Sequence, residues 1–237
     1  MQPDNDFMKL PEFFCWTKFG AEAGQAAAQI LRRKDDERRL NSGVFLWGVG
    51  NSVGPGIKEL LRFSEFPEVL FSPIKSPPKT LDSSPSHVAA WISGQTCDGL
   101  EFPMPARVLV TSRFDVTAPK KTHYALVCYS ASPLVPLDPA PLVDFSSLRN
   151  IQTGNPLGSS QVTAIVKREK SAHHEPSSLY RVYLRAYLIP PYFIRLHDPV
   201  TTKCGASFEH DWPAAIEDAR NRLARTTTQG ALTLEYP

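Results

Sequence analysis

Proline is the residue that most constrains this chain, because it occupies 22 of the 237 positions. A proline has no backbone N–H and is excluded from helix interiors and central strands, so frequent prolines divide a chain into short elements. The segment Ala21–Leu40 contains no proline and is rich in Ala, Gln, Leu, Arg and Glu, which predicts one long helix. The turn Asn41-Ser42-Gly43 then supplies its end.

The rest of the chain reads as short apolar strands framed by a few helices. Asp211 followed by Trp212-Pro213 predicts the start of a final helix, since an acidic cap and a first-turn proline favour helix initiation. We therefore expect an α+β fold: a strand-rich single domain with a curved or partly closed sheet, one long N-terminal helix and a C-terminal helix. Residues 1–12 are predicted to be a polar arm and residues 13–237 the globular domain. Clear strand candidates are Val44–Trp47, Glu68–Phe71, His123–Tyr129, Gln161–Arg168 and Tyr180–Leu188.

Composition restricts the class of protein and its compartment. Hydrophobic residues make up 42% of the chain and charged residues 21%, which is typical of a folded domain. No apolar run approaches the ~20 residues of a membrane span, and no secretory leader is visible. The four cysteines form no CxxC pair, so we expect reduced thiols in the cytoplasm, with no metal and no cofactor. With a net charge of +2, a polyanion would have to be bound by a local patch.

The first candidate site is the glycine-rich turn of residues 48–56, which follows the strand Val44–Trp47. Glycines and free backbone N–H groups before a helix can hold a phosphate or a base, with Asn51 as a side-chain donor and acceptor. The spacing matches neither GxGxxG nor GxxxxGK[ST], which argues against a nucleotide cofactor. The alternative is a tight turn that needs positive φ at two or three glycines.

The second candidate site lies at the entrance to the long helix. Trp16, Phe19 and Trp47 could border a pocket in which an aromatic ring stacks on a base, while Glu22 polarises a water or stabilises positive charge. Lys18 could hold a phosphate beside it. The alternative is that Glu22 is an ordinary acidic residue of a first helical turn, where the helix dipole favours a carboxylate.

Clustered cations suggest contacts with a nucleic-acid backbone. Arg33 belongs to a basic run, residues 32–39, that is interleaved with acids; it fits either phosphate contact or a solvated helix face with i,i+4 ion pairs. The loop cations Lys75, Lys79 and Arg113 fit phosphate contacts as well. Asp115 is a second candidate acid–base residue, and its alternative is a turn residue.

An alternating aromatic and basic pattern marks the strand Tyr180–Leu188. In a regular strand Arg181, Tyr183, Arg185 and Tyr187 share one face, opposite to an apolar face. Such a face could stack on bases and hold phosphates. It could equally be an exposed face with cross-strand pairs of long side chains.

The core strand Val44–Gly50, with Trp16 and Trp47 near it, resembles the PUA-like group of base-recognising domains. The chain also resembles phage-defence DNA glycosylases that remove modified cytosines. The GxDPYH-like and HPSP-like signatures of uracil-DNA glycosylases are absent, since residues 48–51 contain no acid and Ser72-Pro73 has no preceding histidine.

Three functions follow from these patterns. The first is an enzyme that acts on a flipped, modified base in double- or single-stranded DNA, most concretely an N-glycosylase that leaves abasic sites. The second is a non-catalytic reader of modified nucleic acid. The third is a small-molecule-binding or partner-binding domain, although no obligate protein partner is inferred.

Overall fold

A computed structural model describes residues 10–20, 26–74, 86–88, 92–96, 101–104, 108–110, 123–170, 178–196 and 212–232. Three helices and thirteen strands are present in this part of the chain. The helices are α1 (Ala27–Leu40), α2 (Gly54–Leu60) and α3 (Trp212–Leu232). The strands are β1 (Phe13–Phe19), β2 (Val44–Val49), β3 (Glu68–Pro73), β4 (Ser86–Val88), β5 (Ile92–Thr96), β6 (Glu101–Met104), β7 (Val108–Val110), β8 (His123–Tyr129), β9 (Leu142–Asp144), β10 (Leu148–Asn150), β11 (Thr163–Arg168), β12 (Leu179–Arg181) and β13 (Leu184–Leu196).

Nine of the strands form one mixed sheet. Its main path runs β10-β11-β1-β3-β13-β5-β6, and β8 joins β2 to the other edge of β13. Strands β1 and β3 are parallel, whereas β1 and β11 are antiparallel. Strand β1 thus has a bonded neighbour on each edge, which is where its continuous apolar sequence predicts a buried strand to lie. Within the described residues the sheet does not close, and the expectation of an α+β domain is confirmed.

Two hydrophobic clusters cover the two faces of the sheet. Because successive strand residues point to opposite faces, Cys15 and Phe19 enter the first cluster, while Phe14 and Trp16 enter the second. Helices α1 and α2 contribute to the first cluster through residues such as Ile30 and Ile57. The second cluster is closed by the segment around β9 and β12.

The described part of α1 begins at Ala27, with Ala26 as the N-cap, and ends at Leu40 as predicted. The stop works as expected from its sequence: Ser42 and Gly43 have φ values of 52° and 100°, and the Gly43 N–H donates to the Arg38 carbonyl at 2.8 Å. The predicted start of the helix, residues 21–25, lies outside the described residues. No helix in the described part is long and apolar enough to cross a membrane.

Of the predicted arm, residues 1–12, the structure describes only the last three residues. The Leu10 side chain is buried in the second cluster, and its carbonyl accepts a hydrogen bond from Arg168 Nη2 at 2.8 Å. The backbone N–H of Arg168 also donates to the Glu12 carbonyl at 2.7 Å. Residues 10–12 therefore lie against β11.

The predicted strand Tyr180–Leu188 is divided in two. Val182 and Tyr183 form no strand between β12 and β13; Val182 enters the second cluster, and Tyr183 packs against the first. The break resets the alternation of side chains, so the prediction that the four Arg and Tyr side chains from residue 181 to residue 187 share one face is wrong. Arg185 and Tyr187 remain on the face opposite the first cluster, where Arg185 Nη1 lies 3.7 Å from Glu68 Oε2.

Candidate functional site

A cavity of about 250 Å³ lies between the glycine-rich turn after β2 and the start of β11. It is lined by Val49, Gly50, Ser52, Val53, Gln161, Val162 and Thr163. Pockets for drug-sized ligands measure roughly 300–1,000 Å³, so this cavity suits a smaller ligand. Its position on the predicted glycine-rich turn makes it the candidate site for the described residues.

The turn is positioned by two glycines, Gly54 and Gly56, at which the backbone packs closely against other side chains. Residues 51–53 form one turn of 3-10 helix that continues into α2. A Cβ atom at Gly54 would lie 2.9 Å from Phe193 Cε1, and a Cβ atom at Gly56 would lie 2.8 Å from Ile165 Cγ1. The positive-φ glycines of the described chain are Gly43 and Gly154. The alternative of a turn that needs positive φ is therefore wrong, and these two glycines serve to bring α2 against the sheet.

The lining of the cavity combines apolar side chains with neutral polar ones. Val53 belongs to the first hydrophobic cluster, and Val49 packs against that cluster. On the β11 side, Gln161 Nε2 donates to the Thr163 carbonyl at 3.2 Å. The hydroxyl oxygens of Thr163 and Thr17 lie 2.8 Å apart. Neutral donors and acceptors beside apolar side chains can bind a flat, uncharged ligand that has a polar edge.

The predicted aromatic residues are all buried but do not meet in one place. Phe19 and Trp47 contact each other in the first cluster, edge to face, with ring centroids 6.4 Å apart. Trp16 lies on the other face of the sheet, where its Nε1 donates to Ser72 Oγ at 3.1 Å. Phe19 and Trp47 thus lie on the same side of the sheet as Val53 of the cavity lining, whereas Trp16 lies on the opposite side.

Two predicted phosphate ligands, Lys18 and Arg33, have buried side chains. Lys18 is 7% exposed, and its Nζ lies 5.0, 4.9 and 5.2 Å from the ring centroids of Trp16, Phe145 and Tyr180. The same Nζ donates to the Ser159 carbonyl at 3.0 Å. Arg33 is 6% exposed on α1. Neither cation lies on an exposed rim, because each is on an inward face of its element.

The other predicted site residues lie outside the described part of the structure. They are the two carboxylate candidates Glu22 and Asp115 and the three loop cations Lys75, Lys79 and Arg113. Asn51 begins the 3-10 turn beside the cavity, and its side chain is outside the described part as well.

A buried group of charges on α1 escaped the sequence analysis. Lys34 Nζ and Glu37 Oε2 are 2.7 Å apart, and their side chains are 4% and 0% exposed. Glu37 Oε1 accepts a hydrogen bond from the Leu46 N–H at 2.6 Å and so ties α1 to β2. Burial lowers the pKa of Lys34, and the neighbouring Arg33 lowers it further, whereas Glu37 opposes the shift. The alternative of a solvated helix face with i,i+4 ion pairs holds only for its outer residues, such as Asp36 and Arg39; of the four ion pairs between the described residues of α1, three are i,i+3.

Two buried thiols lie in the first cluster, Cys15 on β1 and Cys128 on β8. Burial raises the pKa of both thiols. Because a thiolate is the nucleophilic form of cysteine, burial makes both side chains poorer nucleophiles.

Comparison of the chain with protein-family models, with curated proteins and with solved structures gave no match.

The close approach of α2 to the sheet gives a testable prediction. Gly56→Ala is expected to lower the free energy of unfolding by about 1–3 kcal/mol, because the new methyl group overlaps the Ile165 side chain. Gly50→Ala is the matched control, since a Cβ atom there has Ser52 Oγ as its nearest neighbour at 3.8 Å. Urea unfolding of both variants checks this, and equal stabilities would contradict the packing role assigned to Gly56.

Proposed function

We propose that this protein binds a nucleobase displaced from DNA in the glycine-turn cavity and hydrolyses its N-glycosidic bond, leaving an abasic site. The observation that carries the proposal is the cavity itself, about 250 Å³ in volume, with apolar and neutral polar side chains in its lining. A base is flat, apolar on its faces and polar at its edge. An enzyme that acts on a base has to extract it from the helix and hold it in such a pocket.

The reaction requires a carboxylate. As the bond between the base and sugar C1′ breaks, positive charge develops on the sugar; water adds its oxygen to C1′, and the base leaves with a proton. A carboxylate stabilises that charge and accepts the proton of the attacking water, and this proton then passes through solvent to the departing base, which regenerates the carboxylate. We assign this role to Glu22, which follows β1 by three residues in the chain, with Asp115 as the alternative. A modified base in phage DNA that has entered the cytoplasm is the substrate that we propose.

The proposal is tested with phage DNA that carries modified bases, with unmodified DNA as the comparison. We expect alkali to cleave the modified DNA only after incubation with the protein, because alkali breaks the backbone at abasic sites. Ser52→Phe should slow this reaction by about 100-fold, since the new ring fills the cavity and displaces the base. Ser132→Phe makes the same change at an exposed serine outside the cavity lining and should react like the wild type.

A second function, a non-catalytic reader of modified DNA, is favoured by one observation: none of the described residues that line the cavity is a carboxylate. The same experiment separates the two functions. A mobility shift of modified DNA that Ser52→Phe abolishes, without alkali-sensitive sites, would support the reader and overturn the enzyme. Neither cleavage nor a mobility shift would overturn both and favour a small-molecule-binding or partner-binding domain.

A further inference from the structure

The volume of the glycine-turn cavity limits the size of the base that it can enclose. A protein cavity of about 150 Å³ binds benzene, so each non-hydrogen atom of that ligand takes up about 25 Å³. At this rate the cavity of about 250 Å³ encloses about ten non-hydrogen atoms. A whole nucleotide has about twenty, so the sugar and the phosphate stay outside and only the base enters.

The same limit separates pyrimidines from purines. Against a capacity of about ten atoms, a pyrimidine of about eight leaves room for about two more, whereas a purine of about ten or eleven leaves room for none. A modified base that the cavity encloses completely is therefore a pyrimidine with a small substituent. A glucosylated hydroxymethyl group adds about thirteen atoms and exceeds the capacity of the cavity by itself.

The charge of the lining restricts the substituent as well. None of the described residues that line the cavity is charged, and the polar side chains among them are Ser52, Gln161 and Thr163. An ionised group that leaves water without a partner of opposite charge loses far more free energy than a neutral group that forms hydrogen bonds. The cavity therefore favours an uncharged substituent over a carboxylate or an ammonium group.

Gln161 supplies hydrogen bonds to a neutral base. Its Nε2 donates to the Thr163 carbonyl at 3.2 Å, which fixes the nitrogen side of the amide. A side-chain amide has two N–H donors and a carbonyl acceptor, so Gln161 can still both donate and accept. Enzymes that extract a base recognise it by hydrogen bonds to its Watson–Crick edge, which in a pyrimidine carries donors and acceptors. That edge can thus be bound without a charged residue.

We infer that the glycine-turn cavity selects pyrimidines that carry a small, uncharged substituent, such as a methyl or hydroxymethyl group at C5, and rejects bulky or ionised ones. The inference rests on the proposed function and names the class of modified base on which it acts. The volume of the cavity sets the limit on size, and its uncharged lining sets the limit on charge.

The test uses four DNA duplexes that differ only at one cytosine, which carries a methyl, hydroxymethyl, carboxyl or glucosylated hydroxymethyl group at C5. The kcat/KM for base removal is measured from the alkali-sensitive sites that form with time. The methyl and hydroxymethyl bases should react within about 10-fold of each other. The glucosylated base is neutral but large, and the carboxyl base is small but charged; each should react at least about 100-fold more slowly.

Free bases test the same selection without the reaction. In isothermal titration calorimetry, 5-hydroxymethylcytosine should bind to the wild type and to Ser132→Phe but not to Ser52→Phe, in which the new ring fills the cavity. The carboxyl and glucosylated bases should bind the wild type at least about 10-fold more weakly.

Equal affinity for these three bases, or no binding of any of them, would overturn the inference. Selective binding of the small neutral base, without base removal from any duplex, would sink the enzyme proposal alone. Removal of all four modified bases at similar rates would sink this inference alone.

Discussion

Replacing Glu37 with leucine is expected to lower the free energy of unfolding by about 3–5 kcal/mol, the usual cost of removing one partner of a buried ion pair. The Lys34 ammonium would be left in an interior site that is 4% exposed, without its carboxylate at 2.7 Å. The Leu46 N–H would also be deprived of its acceptor, and a buried unsatisfied donor is costly in itself. Urea unfolding measures the change.

The matched control is Asp36→Ala on the same helix, because Asp36 pairs with Arg39 at the surface. Exposed pairs of this kind contribute about 0–1 kcal/mol. A double variant, Lys34→Met with Glu37→Leu, removes both charges and should recover roughly 2 kcal/mol or more of the loss. If the single and double variants were equally unstable, the cost would come from the lost hydrogen bond of the Leu46 N–H and not from the unpaired Lys34 ammonium.

Glu22→Gln should lower the rate of base removal by about 10²–10⁴-fold while leaving the affinity for modified DNA unchanged. The amide keeps the size of the carboxylate, but it can neither balance the charge on the sugar nor accept the water proton. The rate is measured as alkali-sensitive sites formed per unit time, and the affinity by mobility shift. Both measurements are needed, because a binding defect alone would also slow the reaction.

Two further variants identify which carboxylate acts in the reaction. Glu59→Gln changes a partly exposed carboxylate that pairs with Arg62 and should leave the rate unaltered. Asp115→Asn is the competing assignment: loss of activity there, with Glu22→Gln active, would move the catalytic role to Asp115. Full activity in both variants would refute carboxylate catalysis by these residues.

The regular elements could be predicted because their determinants are local. The end of α1 follows from Ser42 and Gly43, which adopt the positive φ that terminates the helix. Strand β8, His123–Tyr129, has the predicted bounds because its apolar run ends in polar residues at both sides. Rules that depend only on residues close in the sequence are sufficient to predict the ends of helices and strands of this kind.

The buried pair of Lys34 and Glu37 could not be predicted from composition, because charged residues on a helix usually face solvent. One signal was present: Ile30, Lys34 and Glu37 follow helical spacing and so share a face with an apolar residue. Whether that face is covered depends on β2, which supplies the Leu46 N–H as a partner. Tertiary structure therefore decides between a solvated and a buried helix face.

The predicted aromatic pocket shows a second limit of the sequence analysis, which concerns the alternation of side chains between the two faces of a strand. Trp16 and Phe19 are three positions apart on β1, so a regular strand sends them to opposite faces. Applying this rule to β1 would have separated Trp16 from Phe19 at once. The break at Val182 and Tyr183 is different, because only the pairing partners of β12 and β13 reveal where the alternation restarts.

Strand β1 is shared between the two hydrophobic clusters, with Phe14 and Trp16 in one and Cys15 and Phe19 in the other. Detaching it would expose both interiors together, so neither half of the molecule has a stability of its own. The cavity is built on the start of β11, which pairs with β1, so its walls are expected to be lost in the same cooperative transition as the two clusters.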